Sequence, residues 1–217
     1  RDRDVTGVQT CALPIWQFNS ALTTAYEERD GAPSNWRRLR QETTWVQDAG
    51  GRPYAGTVVS KLDAWTAQEK VSKTETVRDG YGNVTEQRIY DYADLVNPLK
   101  TVRTTLDTAM AAQGMYNRVK KVEVISGAVT RELIRYEYDG NGASYCPAGS
   151  TTLTDASGMT HHDAAYGVSK TDRGLVTYVK QMGQPGVCAS YDIGGNVVKT
   201  KVPLTGREMA YSVTSAS

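Results

Sequence analysis

Asp79-Gly-Tyr-Gly82 separates two short runs rich in β-branched and aromatic residues, Thr74–Arg78 and Val84–Tyr92. Such runs, in which these residues alternate with polar ones, are typical of strands. In the segment between them, the aspartate accepts hydrogen bonds from backbone N–H groups further along, and the glycine adopts the positive φ that returns the chain. Residues 74–92 therefore predict a β-hairpin.

The same turn pattern recurs along the chain. Besides Asp79–Gly82, Asp-x-x-Gly occurs at Asp48–Gly51, Asp139–Gly142, Asp155–Gly158 and Asp192–Gly195. A shuffled chain of this composition gives about one match, so the recurrence indicates a repeated hairpin device. Further strand-like runs are Arg38–Gln47, Gly56–Leu62, Arg118–Ser126, Val129–Tyr138, Leu175–Gln181 and Val197–Val202.

Helical signal is confined to two short segments, Leu106–Gln113 and Leu62–Lys70. Neither is long enough to be stable without packing. The expected fold class is therefore all-β, built from consecutive antiparallel hairpins with little helix.

Composition indicates a soluble globular segment with partly wet sheet faces. The 217 residues include 23% charged residues and carry a net charge of +1, which gives no electrostatic attraction to nucleic acid or to an anionic membrane. No apolar run approaches the length that spans a bilayer. Thirteen tyrosines stand against a single phenylalanine, Phe18, and tyrosine suits sheet faces that stay partly in water.

The first fifteen residues have a separate origin in our interpretation. Val5-Thr-Gly-Val-Gln-Thr-Cys-Ala-Leu-Pro-Ile15 is the one-frame translation of a common sequencing-read adaptor, and its index accounts for Arg1–Asp4. We predict that Arg1–Ile15 is adaptor-derived and not a domain, that it is unpaired or irregularly placed, and that the regular sheet begins after Trp16. Residues 16–217 are then expected to be an internal slice of a longer protein.

Two cysteines, Cys146 and Cys188, remain once Cys11 is assigned to the adaptor. They are compatible with one disulfide of an exported protein, but their spacing alone does not show that the two positions meet. There is no CxxC pair, and the adjacent His161 and His162 point to opposite faces of a strand, which disfavours a shared metal. We therefore predict no metal site, cofactor or catalytic residue.

Three of the turns have more residues in common: Asp79-Gly-Tyr-Gly82-Asn83, Tyr138-Asp139-Gly-Asn-Gly142 and Tyr191-Asp192-Ile-Gly-Gly195-Asn196. Tyr-Asp before the turn and Gly-Asn after it resemble the YD repeats of RHS-repeat proteins, relatives of the teneurins and of the toxin-complex cocoon subunits. Other pieces fit as well, so the resemblance covers most of 44–202: Thr44–Asp48, Ile89–Tyr92, His162–Gly167 and Asp172–Thr177. The irregular intervals between the aspartates predict a divergent stretch that carries loops.

The resemblance implies both a fold and a role. Complete members of that family form a long sheet of consecutive hairpins that spirals into a hollow shell around a C-terminal toxic or variable domain. Residues 16–217 would then be a non-enzymatic part of such a shell, secreted or at the cell surface, whose partners are the rest of the shell and the enclosed domain. The Asp-Pro-rich closing motif at which some members cleave themselves has no counterpart here, so we assign no autoproteolytic residue.

Other side chains that suggest chemistry also have ordinary structural explanations. One aspartate per turn is turn chemistry and lacks the ligand-dense spacing of a calcium loop. Strand alternation splits the one basic cluster, Trp36–Arg40, which disfavours a nucleic-acid surface. Carboxylates would form a glycosidase pair only if the fold brought two of them within about 5–10 Å, the candidates being Glu27, Glu28, Asp30, Glu132 and Glu137.

Two alternative functions remain open. A carbohydrate-binding or adhesive module would use tyrosine rings as stacking platforms for surface glycans, from the set Tyr54, Tyr81, Tyr90, Tyr92, Tyr136 and Tyr138. A polysaccharide-acting β-solenoid or propeller enzyme would need two carboxylates that face each other in a concave pocket.

Overall fold

The computed structural model describes residues 9–10, 22–30, 37–92, 94–140, 144–156 and 163–211. In chain order its elements are β1 (Gln9–Thr10), β2 (Thr23–Asp30), β3 (Arg37–Gln47), β4 (Pro53–Leu62), β5 (Lys70–Arg78), β6 (Val84–Tyr90), β7 (Lys100–Leu106), α1 (Thr108–Ala111), β8 (Val119–Ser126), β9 (Val129–Tyr138), β10 (Leu153–Thr154), a 3₁₀ turn (Ala164–Tyr166), β11 (Val176–Gln181), β12 (Val187–Asp192), β13 (Val197–Lys201) and β14 (Glu208–Ala210). No helix in these ranges is long and apolar enough to cross a membrane.

Hydrogen-bonded strands follow the chain order, so they form an antiparallel meander of consecutive hairpins. The exception is β10, which pairs in parallel with β12 and leaves β9 and β11 as direct neighbours. The all-β fold of antiparallel hairpins with little helix, expected from the sequence, is confirmed.

The chain divides into two compact units, one of residues 1–103 with 124–130 and one of residues 104–123 with 131–217. In the first unit, regular ladders join β2, β3, β4, β5, β6 and β7 in succession. In the second unit, β9, β11, β12, β13 and β14 pair in that order.

All eight runs that the sequence assigned to strands are strands in the structure, namely β3, β4, β5, β6, β8, β9, β11 and β13. Four longer strands were missed: β2, β7, β12 and β14. β2 is rich in charged residues and β12 contains Cys-Ala-Ser, so neither has the composition of a strand. Their neighbours in the sheet supply the hydrogen bonds that their own residues do not predict.

The two helical predictions have different outcomes. Leu106–Gln113 contains α1, which has only four residues and ends before Gly114. The interpretation of Leu62–Lys70 as a turn or two of helix is wrong. Asp63 and Trp65 adopt φ values of +49° and +65°, which a right-handed helix does not allow, and the segment forms successive turns.

Of the fifteen N-terminal residues, the structure describes Gln9 and Thr10. They pair with Ala25 and Thr23 across an irregular register, so the expectation that this segment is unpaired is wrong at these two positions. The continuous ladder of long strands begins with β2. The adaptor origin of the segment stays a prediction.

Buried side chains are few in the described part of the chain. In the second unit, Cys146, Tyr178 and Cys188 form a small buried cluster. In the first unit, Tyr54 and Tyr90 are buried, but most residues of β4 and β5 are only half-buried. The sheet of the first unit therefore has faces that water reaches, in place of a thick dry core.

Gly56 provides a test of the β3–β4 ladder. It is buried at a register shift, and an added Cβ would lie 2.5 Å from Val46 Cγ2. Gly56→Ala is expected to lower the free energy of unfolding by about 1–3 kcal/mol, measured by urea denaturation. Gly80→Ala is the control, because its Cβ would meet Ala49 at an ordinary 3.4 Å. An undiminished loss for Gly56→Ala in a Val46→Ala background would contradict the clash.

Candidate functional site

Asp79 shows how one strand ends and the next begins. Its N–H donates to the Asn83 carbonyl (3.0 Å), and its carbonyl accepts from Gly82 N–H (3.1 Å). Its Oδ1 accepts from the N–H groups of Tyr81 and Asn83, both at 2.9 Å, and Oδ2 accepts from Asn83 Nδ2 at 2.9 Å. Gly82 has φ +90°. These bonds describe a tight hairpin turn closed by a left-handed glycine.

Asp48 and Asp192 repeat this arrangement. Each donates its N–H to the carbonyl of the residue after the turn glycine, Arg52 or Asn196, and accepts that residue's N–H on Oδ1 at 2.9–3.0 Å. The side chain of the same residue also donates to the carboxylate, through Arg52 Nε (3.0 Å) or Asn196 Nδ2 (3.0 Å to Oδ2). The turn glycine has positive φ in both cases, at Gly51 (80°) and Gly195 (83°).

Asp107 occupies the same position at the end of β7, although no Asp-x-x-Gly pattern marks it. Its N–H donates across the connection to the Arg118 carbonyl (2.8 Å), and Oδ1 accepts from the N–H groups of Ala109 and Met110 at 2.9 and 3.1 Å. The connection contains α1, so here the carboxylate caps a helix. Sequence reasoning missed Asp107; the available signal was an aspartate directly before an Ala-rich segment.

Asp139 ends β9, but its partners are distant in sequence. Its N–H donates to the Leu175 carbonyl (2.9 Å), and its carboxylate accepts from the N–H groups of Gly174 (2.8 Å) and Leu175 (2.9 Å). The carboxylate and the N–H of Asp139 are thus used across the β9–β11 connection, which the sequence did not predict, and the local turn expected at Asp139–Gly142 stays a prediction. Gly142, the other end of that predicted turn, lies outside the described residues.

We call these five side chains the strand-end carboxylates: Asp48, Asp79, Asp107, Asp139 and Asp192. They end β3, β5, β7, β9 and β12, which is every second connection along the meander. In each case the aspartate N–H bonds a carbonyl across the connection, and the carboxylate accepts N–H groups of the connection itself. The position at a strand end, and not the length of the connection, is what they share.

Asp155 does not belong to this group. Its Oδ1 accepts from the N–H of the next residue, Ala156, at 2.9 Å, and its side chain is exposed. It follows the two-residue strand β10, which pairs in parallel with β12 and is not part of a hairpin. Residues 157–162, including Gly158, lie outside the described residues, so the hairpin turn expected at Asp155–Gly158 stays a prediction.

The tyrosines of the Tyr-Asp pairs bond the preceding strand. Tyr138 Oη donates to the Val119 carbonyl of β8 (2.9 Å), and Tyr191 Oη donates to the Val176 carbonyl of β11 (2.7 Å). Burial raises the pKa of both phenols, so each hydroxyl keeps its proton as a donor. In a Tyr-Asp pair, one side chain therefore ties its strand to the strand before it, and the next closes the following connection.

Arg52 links two successive turns of the first unit. Its Nε donates to Asp48, and its Nη2 donates to the Gly80 carbonyl in the neighbouring turn. The backbones approach closely there, since a Cβ on Gly50 would lie 2.7 Å from the Gly80 carbonyl oxygen. Glycine in the turns therefore allows neighbouring hairpin ends to touch.

Hydrogen bonds lower the pKa of two strand-end carboxylates. For Asp48, the N–H of Arg52 is the largest cause, and it outweighs desolvation. For Asp79, partial burial raises the pKa, but the bonds from Asn83, Tyr81 and Gly82 together outweigh it and leave the pKa below its usual value. Both groups are ionised at neutral pH, where a carboxylate is the stronger acceptor.

Cys146 and Cys188 form a disulfide, with their Cα atoms 5.9 Å apart and a sequence separation of 42. Tyr145, next to Cys146, stacks on Tyr178 with ring centroids 5.0 Å apart. In the loop-entropy account, a link across a loop of this length stabilises the fold by about 4 kcal/mol. The bond therefore fastens the segment around Cys146 onto β11 and β12.

One face of the first unit's sheet carries a ladder of ion pairs. The cross-strand register puts the charged side chains on one side, and they pair as Arg40–Glu42 (2.7 Å), Lys61–Glu42 (3.0 Å), Lys73–Glu75 (2.9 Å), Arg88–Glu75 (3.6 Å) and Arg103–Glu86 (3.1 Å). The opposite face has rows such as Thr43, Val58, Thr74 and Ile89. The ion pairs of these strands are therefore concentrated on one face.

Two of the candidate glycosidase carboxylates, Glu132 and Glu137, form ion pairs with cationic side chains. Glu132 pairs with Arg135, and Glu137 lies 3.6 Å from Lys120 Nζ and 3.7 Å from Arg135 Nη1. The bond from Arg135 lowers the pKa of Glu132, whereas a general acid needs a raised pKa. The electrostatics of this pair do not favour glycoside hydrolysis.

The candidate stacking tyrosines do not form one platform. Tyr54, Tyr90 and Tyr138 are buried, with 9%, 6% and 5% of their surface exposed. Cations cover two of these rings, with Arg78 Cζ 5.1 Å from the Tyr54 centroid and Lys73 Nζ 3.9 Å from the Tyr90 centroid. The two rings of the set that are well exposed are Tyr81 and Tyr92.

The paired histidines His161 and His162 lie outside the described residues. Asp163, next to them, accepts the N–H of Ala165 at 2.9 Å and so caps the 3₁₀ turn. Within the part of the chain that the structure describes, no group of three His, Cys, Asp or Glu side chains is arranged to hold a metal ion.

No model of a known protein family matches this chain, and no curated protein sequence matches it.

Asp79→Ala and Asp155→Ala separate the position in the antiparallel meander from the bare motif. Asp79→Ala removes three hydrogen bonds to a carboxylate and is expected to lower the free energy of unfolding by about 1–3 kcal/mol. Asp155→Ala removes the described bond to the Ala156 N–H at an exposed site and should change the free energy of unfolding by less than about 0.5 kcal/mol. Urea denaturation of the full chain measures both. Equal losses would show that the motif, and not its place in the meander, governs stability.

The lowered pKa values of Asp48 and Asp79 predict a dependence on pH. A carboxylate with a lower pKa in the folded state stabilises the fold above its unfolded pKa of about 3.9, and the stabilisation is lost as pH falls through the folded pKa. Exchange of the Arg52 and Asn83 amides is therefore expected to accelerate below about pH 4, relative to intrinsic rates. The control is Asp79→Asn, in which the acceleration at Asn83 should be absent.

Proposed function

We propose that residues 16–217 are a stretch of structural β-shell of the YD-repeat kind, from a secreted or cell-surface protein that encloses and delivers a C-terminal toxic or variable domain. The strands form the wall, no residue is catalytic and no cofactor is needed. The partners are the remainder of the shell and the enclosed domain. The observation that carries the proposal is the strand-end carboxylate, which recurs at successive hairpins with the same backbone bonds.

The different structural roles of the two side chains of the Tyr-Asp pair support a repeating unit. Tyr138 and Tyr191 each bond the strand before them, while Asp139 and Asp192 close the connection that follows. A pair of strands with this dipeptide therefore carries its own means of attachment on both sides. Units of that kind can be added in series, and each needs only its neighbours for stability.

The character of the sheet faces also supports a wall. A wall meets water on both sides, so it cannot rely on one thick apolar core. In the first unit, ion pairs line one face, and the other face includes a row of small polar and aliphatic side chains, Thr43, Val58, Thr74 and Ile89. Single exposed ion pairs contribute about 0–1 kcal/mol, so the backbone ladders and turns carry much of the stability.

The disulfide supports an exported location. Disulfides persist in oxidising compartments and are rare in the cytosol. The Cys146–Cys188 bond lies in the buried cluster with Tyr178, which is a structural and not an exposed setting. This agrees with a shell outside the cell.

The DNA on either side of this coding segment tests the proposal. The DNA that flanks codons 16–217 can be amplified outward and sequenced. Its translation is expected to contain more Asp-x-x-Gly hairpins with Tyr-Asp pairs and, after them, a distinct domain. Flanking reading frames without such hairpins would contradict a shell.

Expression of residues 16–217 alone gives a second test. A wall segment presents strand edges with unused hydrogen-bonding groups, so the isolated segment is expected to associate and to melt without a sharp transition. β14 is the last strand in the order, and Met209 on it is exposed. Met209→Lys, which places a charge on that edge, should reduce association measured by sedimentation. A monomer with a sharp cooperative melt would count against the proposal.

A further inference from the structure

Asp139 and the dipeptide Gly174-Leu175 make two of the hydrogen bonds that characterise the short turns. In the Asp79 turn, Gly82 has φ +90°, and the next residue, Asn83, accepts the Asp79 N–H with its carbonyl while its own N–H donates to Asp79 Oδ1. The glycine N–H differs, since it donates to the aspartate carbonyl at Gly82 and to Asp139 Oδ2 at Gly174. Gly174 has φ +69°, and Leu175 accepts the Asp139 N–H with its carbonyl while its own N–H donates to Asp139 Oδ1 at 2.9 Å. The two halves of the turn are therefore present, but a long segment lies between them.

We propose that residues 140–171 are an insertion hosted inside a single hairpin turn, Asp139-Asp172-Arg173-Gly174, and that β9 and β11 form a complete hairpin without it. Without the insertion, β9 and β11 would be joined by a four-residue turn, as β5 and β6 are. The β9–β11 turn is then a position at which the meander tolerates an inserted segment. The inserted segment packs on a separate docking surface formed by β11 and β12.

The strands on either side of the split turn pair at once. Val176 lies opposite Tyr138, and the ladder continues through Val179 opposite Tyr136 to Gln181. A second hydrogen bond joins the two ends of the insertion site, where Thr177 Oγ1 accepts the N–H of Gly140 at 2.9 Å. The β9–β11 ladder therefore uses no residue of the insertion beyond its first.

The insertion is attached elsewhere, to β11 and β12. Cys146 is bonded to Cys188, Tyr145 stacks on Tyr178, and Thr152 N–H donates to Ser190 Oγ at 3.1 Å. These partners define the docking surface: Tyr178, Cys188 and Ser190. β10 completes the contact, because the N–H groups of Tyr191 and Ile193 donate to the Thr152 and Thr154 carbonyls at 3.0 and 2.9 Å.

Arg173 stands at the junction between insertion and turn. Its guanidinium donates to the carbonyls of Lys170 (2.7 Å), Gly167 (2.9 Å) and Tyr166 within the insertion, and to Ile193 (3.0 Å) in the β12–β13 turn. Arg173 thus holds the end of the insertion against the sheet, and Gly174 and Leu175 then lead the chain into β11, which begins at Val176. This is the role expected of a residue at the base of an inserted loop.

A pair of deletions in the full chain tests the proposal. Deletion of 140–171 joins Asp139 to Asp172-Arg173-Gly174 and restores the Asp-x-x-Gly spacing, whereas deletion of 140–172 is one residue shorter and breaks it. Both carry Cys188→Ser, because Cys146 is removed. The reference is the full-length Cys146→Ser/Cys188→Ser variant, which separates loss of the disulfide from loss of the insertion.

Hydrogen exchange at the amides of Asp139 and Met182 reports the two ends of the β9–β11 ladder, since they donate to Leu175 and Leu133. We expect the 140–171 deletion to keep their protection within about threefold of the reference, and the 140–172 deletion to lower it at Asp139 by about tenfold or more. In both, the Tyr191 and Ile193 amides should lose protection, because their β10 acceptors are gone. Equal protection at Asp139 in the two deletions, or its loss in both, would overturn the proposal.

Discussion

The structure depends on the hydrogen bonds that an aspartate makes at the end of a strand, through its backbone N–H and through its carboxylate. The aspartate N–H bonds a carbonyl across the connection, and the carboxylate gathers N–H groups that would otherwise lack partners. Buried backbone groups without partners cost free energy comparable to a lost hydrogen bond, so a meander must satisfy them at each reversal. The same contact serves the turn at Asp79, the helix cap at Asp107 and the split turn at Asp139.

This contact matters more here than in a protein with a thick core. In the described part of the first unit, apolar burial is modest and the charged face is held by pairs that are worth little singly. Register and closure therefore rest on the ladders and their ends. In the second unit, the insertion covers part of β11 and β12, where it is attached by the disulfide and by the stack of Tyr145 on Tyr178.

Sequence reasoning located eight strands because their composition and their turn punctuation agree. It failed where a segment is a strand only by virtue of its neighbours, as in β12, whose Cys-Ala-Ser run has no strand propensity of its own. It also took each Asp-x-x-Gly match as equal. Asp155 follows a strand that pairs in parallel, outside the antiparallel meander, and its described bond is to the next residue, whereas Asp107 shows that a strand end of the meander makes the full set without the motif.

The sequence by itself determined the all-β class, the hairpin order and the residues that punctuate it, because turn chemistry and strand composition are local properties. Only the tertiary structure decided which aspartates close strands, that Cys146 meets Cys188, and that Asp139 bonds Gly174 and Leu175. The physical reason is distance along the chain: these contacts join residues far apart in sequence, and a local pattern carries no information about which distant strand will lie beside it.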